Sequence, residues 1–492
     1  MIAPGLIWAV IAVFAAFGFV IAVRAARTNS GTAGDYYIGG RDIGGMVAGL
    51  SYAATTYSAF MLVVLTGLTY RGGIGALGFE LIYFAGLSLL VIFAPRFWLV
   101  GKRWGFISPA EMIGARYGSR GVARAMAVVS IVFLLPYCTT QMAGIGLLLS
   151  GVTGGGISLF QAVATGAALA MFWALLAGLR SVAWTDAAMS VVMFVSGVLA
   201  VAFAIAALGG GPVEFLGTLQ ADHAEWLRVP GPGLWSLPTF IALSLPWFFF
   251  TLSNPQVSQR LFILRDFQAM RRMILWVLGF GFIFTLVAVI WGLAALQLAP
   301  DLPNTSMATP ALLSSGVIPT WVVLLLIVGI LSAAISTLDS IALTVGAMIA
   351  RDVVPSMESH SDARQIFSGR LVIVAVVLFA SYFALEQAAI VDQLAALSAA
   401  GLMVAVPPIV GAFFWRRGTA PGALAAIGGG AAVAVWLAIF QGVSVFNPVL
   451  PFAVGGASAA LFIVVSLSTK PRAMALDFQS EIADQLAYHR AW

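Results

Sequence analysis

The chain has 492 residues, of which 61% are hydrophobic and only 9% are charged. This composition excludes an ordinary water-soluble protein and is typical of a protein that crosses a membrane many times. The formal net charge of +5 comes from basic residues between apolar segments, so it gives no indication of nucleic-acid binding. The single cysteine, Cys138, excludes an internal disulfide bond, and the three histidines fall in predicted loops or the tail. We therefore expect no catalytic residues and no enzyme activity.

Hydropathy predicts an all-α polytopic membrane protein with thirteen transmembrane helices. The first apolar segment has no basic residues before it and two arginines after it, which is not the pattern of a cleaved signal peptide. The approximate cores of the predicted spans are residues 2–23, 46–68, 75–99, 125–149, 156–178, 183–208, 237–253, 273–297, 318–349, 370–386, 390–414, 421–441 and 447–468.

The basic residues predict the orientation of the chain in the membrane. With thirteen spans and the N-terminus outside, all but two of the 24 Lys and Arg residues fall on the inner side. Only Arg71 and Arg228 fall outside. We therefore predict a multi-pass protein of the plasma membrane, the cell inner membrane in a bacterium, with its N-terminus outside and its C-terminus inside.

The ninth predicted span carries polar side chains on one face. Ala333, Ser336, Thr337 and Ser340 follow the i, i+3, i+4, i+7 spacing of a helix face, and Asp339 lies beside them. An unpaired carboxylate is costly inside a membrane, whereas hydroxyl, carbonyl and carboxylate oxygens suit an alkali cation. Serine and threonine can also simply join helices by hydrogen bonds. The added carboxylate favours a cation site.

Two predicted spans contain residues that interrupt a helix. The second has a polar insert at residues 51–58, and the seventh contains Pro246 and runs into Asn254-Pro255. Proline lacks a backbone donor and disfavours helix at the preceding residue. Either interruption alone could be a polar helix contact or a proline kink. Because they lie five helices apart, together they indicate an inverted-repeat transporter that binds its ligands at the breaks.

Several short motifs carry a resemblance to one family. They are YIGGR at 37–41, ISPAE at 107–111, GLRSVAWTD at 178–186, NPQVSQR at 254–260 and STLDS at 336–340. With these motifs in this order, the chain resembles the sodium:solute symporter family over nearly its whole length. The resemblance implies a LeuT-type fold with a five-plus-five inverted repeat and two broken helices. Its members import proline, pantothenate, monocarboxylates, sugars or sialic acid together with sodium.

The resemblance also implies a main sodium site between the second and ninth spans. Its ligands would be the carbonyls of Ala54, Tyr57 and Ala333 and the hydroxyls of Ser336 and Thr337. Carbonyls freed by an unwound segment and two hydroxyls on the adjoining helix form a five-oxygen cage. Sodium is therefore the expected coupling ion, and no organic cofactor is expected.

A second cation position is implied in the same way. Some relatives hold another sodium with an acid that matches Asp186 and with hydroxyls one turn beyond the main site, where this chain has Asp339 and Ser340. The two acids could share a sodium ion, or Asp339 could exchange a proton. A structural role for Asp186 near its helix start and Arg180 is a further alternative.

The substrate site is predicted from polar and aromatic residues near the breaks. Glu80 matches an acid of sugar carriers, whose other sugar-binding residues are missing here, and it could instead pair with Arg71. No Lys or Arg is predicted deep within a span, so bound sodium and amides at the broken helices would have to balance an anion's charge. The candidate substrate residues are Thr56, Phe60, Glu80, Tyr137, Gln141 and Asn254.

These observations predict a sodium-coupled symporter for a monocarboxylate or a similar organic acid. An amino acid such as proline, or a sugar, is the alternative substrate, and a membrane sensor with a separate signalling partner is the alternative function. A monomer is expected to suffice, with sodium, a small molecule and the lipid bilayer as partners. The predicted organisation is residues 1–45 for the first helix and inner linker, 46–208 for the first repeat, 209–236 for an outer loop, 237–414 for the second repeat, and 415–492 for two further helices and a short inner tail.

Overall fold

The computed structural model describes residues 2–27, 31–354, 360–387, 391–472 and 475–490. Within these ranges the regular secondary structure is helical, apart from one isolated parallel bridge between Ile43 and Leu264. Long apolar segments satisfy their own backbone hydrogen bonds in a membrane only as helices or closed barrels, and these segments form helices. The predicted all-α class is therefore confirmed for the described ranges.

Many of the helices are suited to crossing a membrane. In the described part of the chain, ten are long and apolar enough to do so. An eleventh results when Gly45–Thr56 and Phe60–Gly72, which are bent by 46° to each other, are taken as one broken span. Two shorter apolar helices are Leu159–Leu175 and Leu237–Phe248. The multi-pass class is confirmed, whereas the count of thirteen stays a prediction.

The first half of the chain contains two interrupted elements. Its α-helices are α1 Pro4–Ala26, α2 Ala33–Ile38, α3 Gly45–Thr56, α4 Thr66–Gly72, α5 Gly75–Gly86, α6 Leu89–Trp104, α7 Pro109–Arg116, α8 Arg120–Val152, α9 Leu159–Gly209 and α10 Pro212–Asp222. Between α3 and α4 lie non-helical backbone at Tyr57 and a π-helical turn, Phe60–Leu65. Helix α9 is interrupted at Gly178, where φ is 68° and a Cβ atom would lie 2.3 Å from the Tyr36 carbonyl oxygen. Only glycine fits there.

The second half contains the other predicted interruption. Its α-helices are α11 Leu237–Phe248, α12 Phe250–Ser253, α13 Pro255–Ser258, α14 Phe267–Leu298, α15 Ala308–Ser314, α16 Thr320–Met348, α17 Asp362–Gln387, α18 Val391–Leu402, α19 Val406–Phe414, α20 Ala420–Val435, α21 Val449–Ser468 and α22 Phe478–Tyr488. Asn254 has extended backbone (φ −96°, ψ 109°) because Pro255 follows it. Both interruptions indicated by the sequence are therefore present in the structure.

Short 3₁₀ and π-helical turns join several of these helices. The 3₁₀ turns are Gly39–Arg41, Ala224–Leu227, Gln259–Phe262, Thr305–Met307 and Met403–Ala405, and the further π-helical turns are Ile349–Val353 and Trp436–Phe440. The turn Gln259–Phe262 follows the second broken helix directly. It carries the chain back into the protein interior.

Helix α16 lies at the centre of the protein. Every residue from Gly329 to Met348 is buried, so its polar side chains contact protein rather than lipid. It packs closely on α9, since a Cβ atom on Gly329 would lie 2.2 Å from Ser196 Oγ. The face that carries Ser336, Thr337 and Asp339 is therefore enclosed.

Gly281 on α14 is expected to be intolerant of a side chain. A Cβ atom there would lie 2.1 Å from the hydroxyl oxygen of Tyr57, which is fully buried at the first break. Overpacking a buried position costs about 1–3 kcal/mol, so Gly281→Ala should lower the apparent unfolding temperature in detergent. Gly279→Ala is the control, because open space surrounds its Cβ position on the same helix. Equal unfolding temperatures for the two variants would contradict this packing.

Candidate functional site

Four of the five predicted ligands of the main sodium site lie together. Ser336 Oγ is 3.0 Å and Thr337 Oγ1 is 3.5 Å from the carbonyl oxygen of Ala54. The same two hydroxyls lie 3.2 and 3.0 Å from the Ala333 carbonyl oxygen. All four residues are fully buried. The structure thus joins the end of α3 to the middle of α16 through oxygen atoms.

The break after α3 makes carbonyl oxygens available here. The last carbonyls of a helix lack amide partners within the helix, and Tyr57 leaves the helical conformation with φ −93° and ψ 78°. Thr337 Oγ1 also lies 3.3 Å from the carbonyl oxygen of Thr55, a residue that the sequence analysis did not single out. The carbonyl of Tyr57, the fifth predicted ligand, follows in the same unwound segment.

The spacing of these oxygen atoms is that of hydrogen bonds from the two hydroxyls to the carbonyls, and it is also compatible with ligands of one sodium ion. Ligands at about 2.4 Å from a central ion lie about 3.4 Å from each other in an octahedral arrangement. The separations observed are 3.0–3.5 Å. A hydroxyl rotates freely, so Ser336 and Thr337 can turn their protons away and present a lone pair to an ion.

A buried arginine lies at the second predicted cation position. Arg260 Nη2 is 2.8 Å from Asp186 Oδ2, and both side chains are fully buried. Ser51 joins the pair, because its Oγ donates to Asp186 Oδ2 at 2.8 Å and accepts from Arg260 Nε at 3.1 Å. Arg260 Nη2 also donates to the hydroxyl of Ser340, and Nη1 donates to the carbonyl of Gln256 at 2.9 Å.

This ion pair corrects one expectation. Arg180 is not the partner of Asp186, since its Nη2 pairs with Asp35 at 3.2 Å. No Lys or Arg is predicted deep within a span, and Arg260 does lie outside the predicted spans, but its side chain is fully buried, which the sequence analysis did not anticipate. Hydropathy places Arg260 in an inner loop, but the broken seventh span turns it back toward α3, α9 and α16.

Asp339 lies beside this cluster without a complete set of partners. Its Oδ1 is 3.5 Å from Ser340 Oγ, and its Oδ2 has no hydrogen-bond partner among the described residues. Asp186 and Arg260 both lie close enough to interact electrostatically with it. Two acids therefore face one guanidinium group in a buried region. One proton or one further cation would make this cluster neutral.

Two of the predicted substrate residues hold the unwound segment of the first break. Tyr137 Oη and Ser58 Oγ form a hydrogen bond of 2.9 Å, and Gln141 Oε1 accepts the backbone amide of Ala59 at 3.2 Å. These contacts replace bonds that a continuous helix would make. In the described part of the chain, Gln141 Nε2 has no partner. It is a donor available to a ligand.

Two other candidates, Asn254 and Thr56, differ in their contacts. Asn254 bonds within its own break, donating to Ser253 Oγ at 3.1 Å and accepting from Gln256 Nε2 at 3.2 Å. The carbonyl of Thr56 accepts the hydroxyl of Tyr83 at 3.2 Å, while Thr56 Oγ1 has no partner among the described residues. Thr56 therefore offers a free hydroxyl beside the predicted sodium ligands, whereas Asn254 stabilises its own turn.

Glu80 lies on α5 in aromatic surroundings. It is fully buried, and within the described ranges neither of its carboxylate oxygens has a hydrogen-bond partner. The ion pair with Arg71 is not formed, since Arg71 Nη2 instead approaches Asp392 at 3.9 Å. No structural partner of Glu80 is therefore found in the described part of the chain.

Aromatic rings from both breaks meet near Glu80. The ring of Trp247 lies 4.6 Å from that of Phe60, 6.1 Å from Phe79, 5.3 Å from Tyr83 and 5.3 Å from Phe250, centroid to centroid. We call this group the aromatic cluster; its members are Tyr57, Phe60, Phe79, Tyr83, Tyr137, Trp247 and Phe250. The sequence analysis identified Phe60 and Tyr137 but not Trp247 or Tyr83.

Polar contacts join α7 to the turn that follows α16. Arg351 Nη2 pairs with Glu111 Oε1 at 2.8 Å, and Ser108 Oγ donates to Asp352 Oδ2 at 2.5 Å. A cavity of about 670 Å³ lies beside these contacts, and Glu111, Arg351 and Asp352 are among its lining residues.

Comparisons with known sequences identify related membrane transporters. The profile of the sodium:solute symporter family matches residues 36–430. The high-affinity proline transporter of Bacillus subtilis (strain 168) is 25% identical over 422 residues, which cover 83% of this chain and 87% of that protein. The sodium/pantothenate symporter of Escherichia coli (strain K12) is 24% identical over 454 residues, which cover 88% of this chain and 91% of that protein.

A solved structure shows the same fold. A Na⁺-coupled sialic acid symporter in a substrate-bound, outward-open state aligns with a TM-score of 0.75 at 20% identity. The alignment covers 94% of this chain and 98% of that one. The LeuT-type fold implied by the sequence resemblance is thereby supported over nearly the whole chain.

Proposed function

This chain belongs to the sodium:solute symporter family, and we propose that it imports a small organic acid together with sodium by alternating access. The observation that carries the proposal is the group of oxygen atoms from Ala54, Ala333, Ser336 and Thr337 between a broken helix and a fully buried one. With the carbonyl of Tyr57 they would form the main sodium site. Its family and fold are those of membrane transporters.

The shared break explains how the ion and the solute would be coupled. Sodium would bind the carbonyls at the end of α3, and the solute would bind the next few residues, beginning at Thr56. An ion that fixes one part of the unwound segment also orders the other part, so each ligand should raise the affinity for the other by the same factor. The proposal therefore requires binding of solute to depend on sodium.

The polar groups around the break support an acidic solute. Gln141 Nε2 and Thr56 Oγ1 lack partners among the described residues, and both can donate to a carboxylate. Bound sodium would lie beside them and balance the negative charge. For the solute to leave toward the predicted inner side, the Arg351–Glu111 and Ser108–Asp352 contacts would have to separate.

We also propose the five-plus-five repeat at residues 46–208 and 237–414, the N-out, C-in orientation and a monomeric working unit.

Counterflow in liposomes would test the proposed function. Purified protein would be reconstituted, loaded with unlabelled solute and supplied with labelled solute in the presence or absence of sodium. The solute would first be selected by sodium-dependent thermal stabilisation in a panel of carboxylates, amino acids and sugars. A symporter exchanges label only with sodium present. A protein that is stabilised by the solute but exchanges no label would be a sensor.

Asp339→Asn is expected to flatten the pH dependence of uptake. The sodium cooperativity should stay as in the wild type. The reason is that Arg260 already fills the space between Asp186 and Ser340, so a proton is the cation left for Asp339. Uptake would be measured against sodium concentration at several pH values. A lower sodium Hill coefficient in this variant would instead support a sodium ion shared by Asp186 and Asp339. Unchanged cooperativity with an unchanged pH profile would leave Asp339 with a structural role only.

A further inference from the structure

We propose that the acid bound at this site also carries an ammonium group, which lies between Glu80 and the aromatic cluster. The substrate is then a small zwitterion, an amino acid or a methylated ammonium acid. This inference rests on the proposed function, because it names the substrate class of the same transport site. It gives the buried carboxylate of Glu80 a partner that the described part of the protein does not provide.

The first argument is the state of Glu80. Both of its carboxylate oxygens are buried and lack hydrogen-bond partners among the described residues. An isolated carboxylate in an apolar region is strongly unfavourable unless it is paired or neutralised. Buried polar groups in native proteins are almost always satisfied, so an exception requires an explanation, and here we assign a ligand. A ligand group that approaches Glu80 must carry positive charge or donate hydrogen bonds, and a protonated ammonium group does both.

The second argument is the chemistry of the surrounding rings. Trp247 is the centre of the aromatic cluster, and its ring is within 6.3 Å of those of Phe60, Phe79, Tyr83, Tyr137 and Phe250. The faces of aromatic rings attract cations, most strongly for tryptophan and when water is excluded. All of these rings are buried. Aromatic rings together with one carboxylate are therefore suited to an ammonium group.

The third argument is the position of this group of residues. Phe60 follows the break of the second span, and Trp247 and Phe250 lie where α11 gives way to α12. Glu80 and Tyr83 come from α5, and the hydroxyl of Tyr83 donates to the Thr56 carbonyl beside the sodium ligands. The aromatic cluster thus bridges the two broken helices, which is where transporters of this architecture bind solute.

The balance of charge distinguishes the possible substrates. With Glu80 ionised, one bound sodium and a simple monocarboxylate leave a net charge of −1 in a buried site. An ammonium group on the same molecule makes the sum zero. A sugar would leave Glu80 ionised with only neutral hydroxyls around it. In the described part, the available donors near the break are few, chiefly Gln141 Nε2 and Thr56 Oγ1.

The test compares molecules of the same shape that differ in charge. L-proline would be compared with cyclopentanecarboxylate, and glycine betaine with 3,3-dimethylbutyrate, in which a carbon atom replaces the charged nitrogen. Binding to the purified wild-type protein would be measured by calorimetry or thermal stabilisation. Each measurement would be made in sodium buffer and in a potassium buffer that contains neither sodium nor choline. We expect at least one ammonium compound to bind with sodium about thirtyfold more tightly than its partner that lacks the ammonium group. D-galactose would be included as a neutral polyol.

Variants then assign the preference to the named residues. Glu80→Gln keeps the shape of the side chain and removes its charge, so the preference for the ammonium compound should fall to about threefold or less. Trp247→Leu should reduce the preference more than Trp247→Phe, which keeps an aromatic face. Glu214→Gln, an exposed acid on α10, is the control for loss of one carboxylate. Without ligand, Glu80→Gln should unfold at the same or a higher temperature than the wild type, since an unpaired buried carboxylate is removed.

The possible failures are distinguishable. Equal or tighter sodium-dependent binding of the partners that lack the ammonium group, or of galactose, would overturn the ammonium site and leave the symporter function standing. The same holds if Glu80→Gln and Trp247→Leu keep the full preference. Failure of every ammonium probe to bind would also overturn it. Binding that never depends on sodium would instead contradict the proposed function. The wild-type comparison needs no variant, so a folding defect cannot obscure the result.

Discussion

Replacing Thr337 by alanine is expected to raise the sodium concentration for half-maximal uptake by about tenfold or more. Thr337 Oγ1 is one of about five oxygen ligands, and an interaction of a hydroxyl with a charged group contributes about 1.5–3 kcal/mol. The same change should follow from Ser336→Ala. Because little volume is removed, the protein should fold normally. Initial uptake rates in liposomes, measured against sodium concentration, would show the shift.

Two further variants make the test specific. Thr337→Ser keeps the hydroxyl and should behave nearly as the wild type. Ser332→Ala removes a buried hydroxyl from the same helix, one that has no hydrogen-bond partner among the described residues, and should not change the sodium dependence. If Ser336→Ala and Thr337→Ala both keep the wild-type sodium dependence, the main sodium site has been assigned to the wrong residues.

The largest effect on stability is expected for Arg260→Gln. Removing one partner of a buried ion pair leaves the other charge uncompensated, which typically costs about 3–5 kcal/mol. Here Arg260 is the partner of the fully buried Asp186 and also binds Ser51 and Ser340. The apparent unfolding temperature in detergent should therefore fall sharply. Adding Asp186→Asn should restore a large part of the loss, because both charges are then absent.

The surface pair Arg265–Asp266 provides the control. Its atoms are 3.0 Å apart, but the Arg265 side chain is 61% exposed, so solvent screens the interaction. Arg265→Gln should change the unfolding temperature little. If Arg260→Gln and Arg265→Gln unfold at the same temperature, the buried pair does not stabilise the protein in the way its geometry indicates.

Local patterns in the sequence were sufficient to predict that oxygen atoms of Ala54, Ala333, Ser336 and Thr337 lie together, whereas sodium binding by them stays a prediction. Ser336 and Thr337 share a helix face because of the 3.6-residue period, and a polar insert marks the break that supplies the Ala54 carbonyl. Proline at 255 likewise predicts the extended backbone at Asn254. Each of these features depends on residues close together in the chain.

Features that depend on distant segments were not predicted. Arg260 lies outside any hydropathy-defined span, and only the folded path of residues 254–262 brings it to Asp186. Trp247 and Tyr83 are indistinguishable in the sequence from ordinary apolar residues of their helices, since nothing in the local sequence shows that their rings meet. The repeat boundaries and the orientation in the membrane remain predictions, because they concern relations that no single helix shows.

The position of Arg260 has a consequence for how strongly the solute can be concentrated. A guanidinium group attached to the chain returns with the protein in every cycle, so it takes no energy from an ion gradient. One sodium ion supplies about 1.4 kcal/mol from a tenfold gradient and about 2.3 kcal/mol from 100 mV. Together these support an accumulation of about 500-fold for a neutral solute, whereas two ions would support about 3 × 10⁵-fold. If Arg260 stands in place of a second sodium ion, as the proposed single-sodium site implies, it would lower the limit of accumulation and halve the sodium that the cell must later expel.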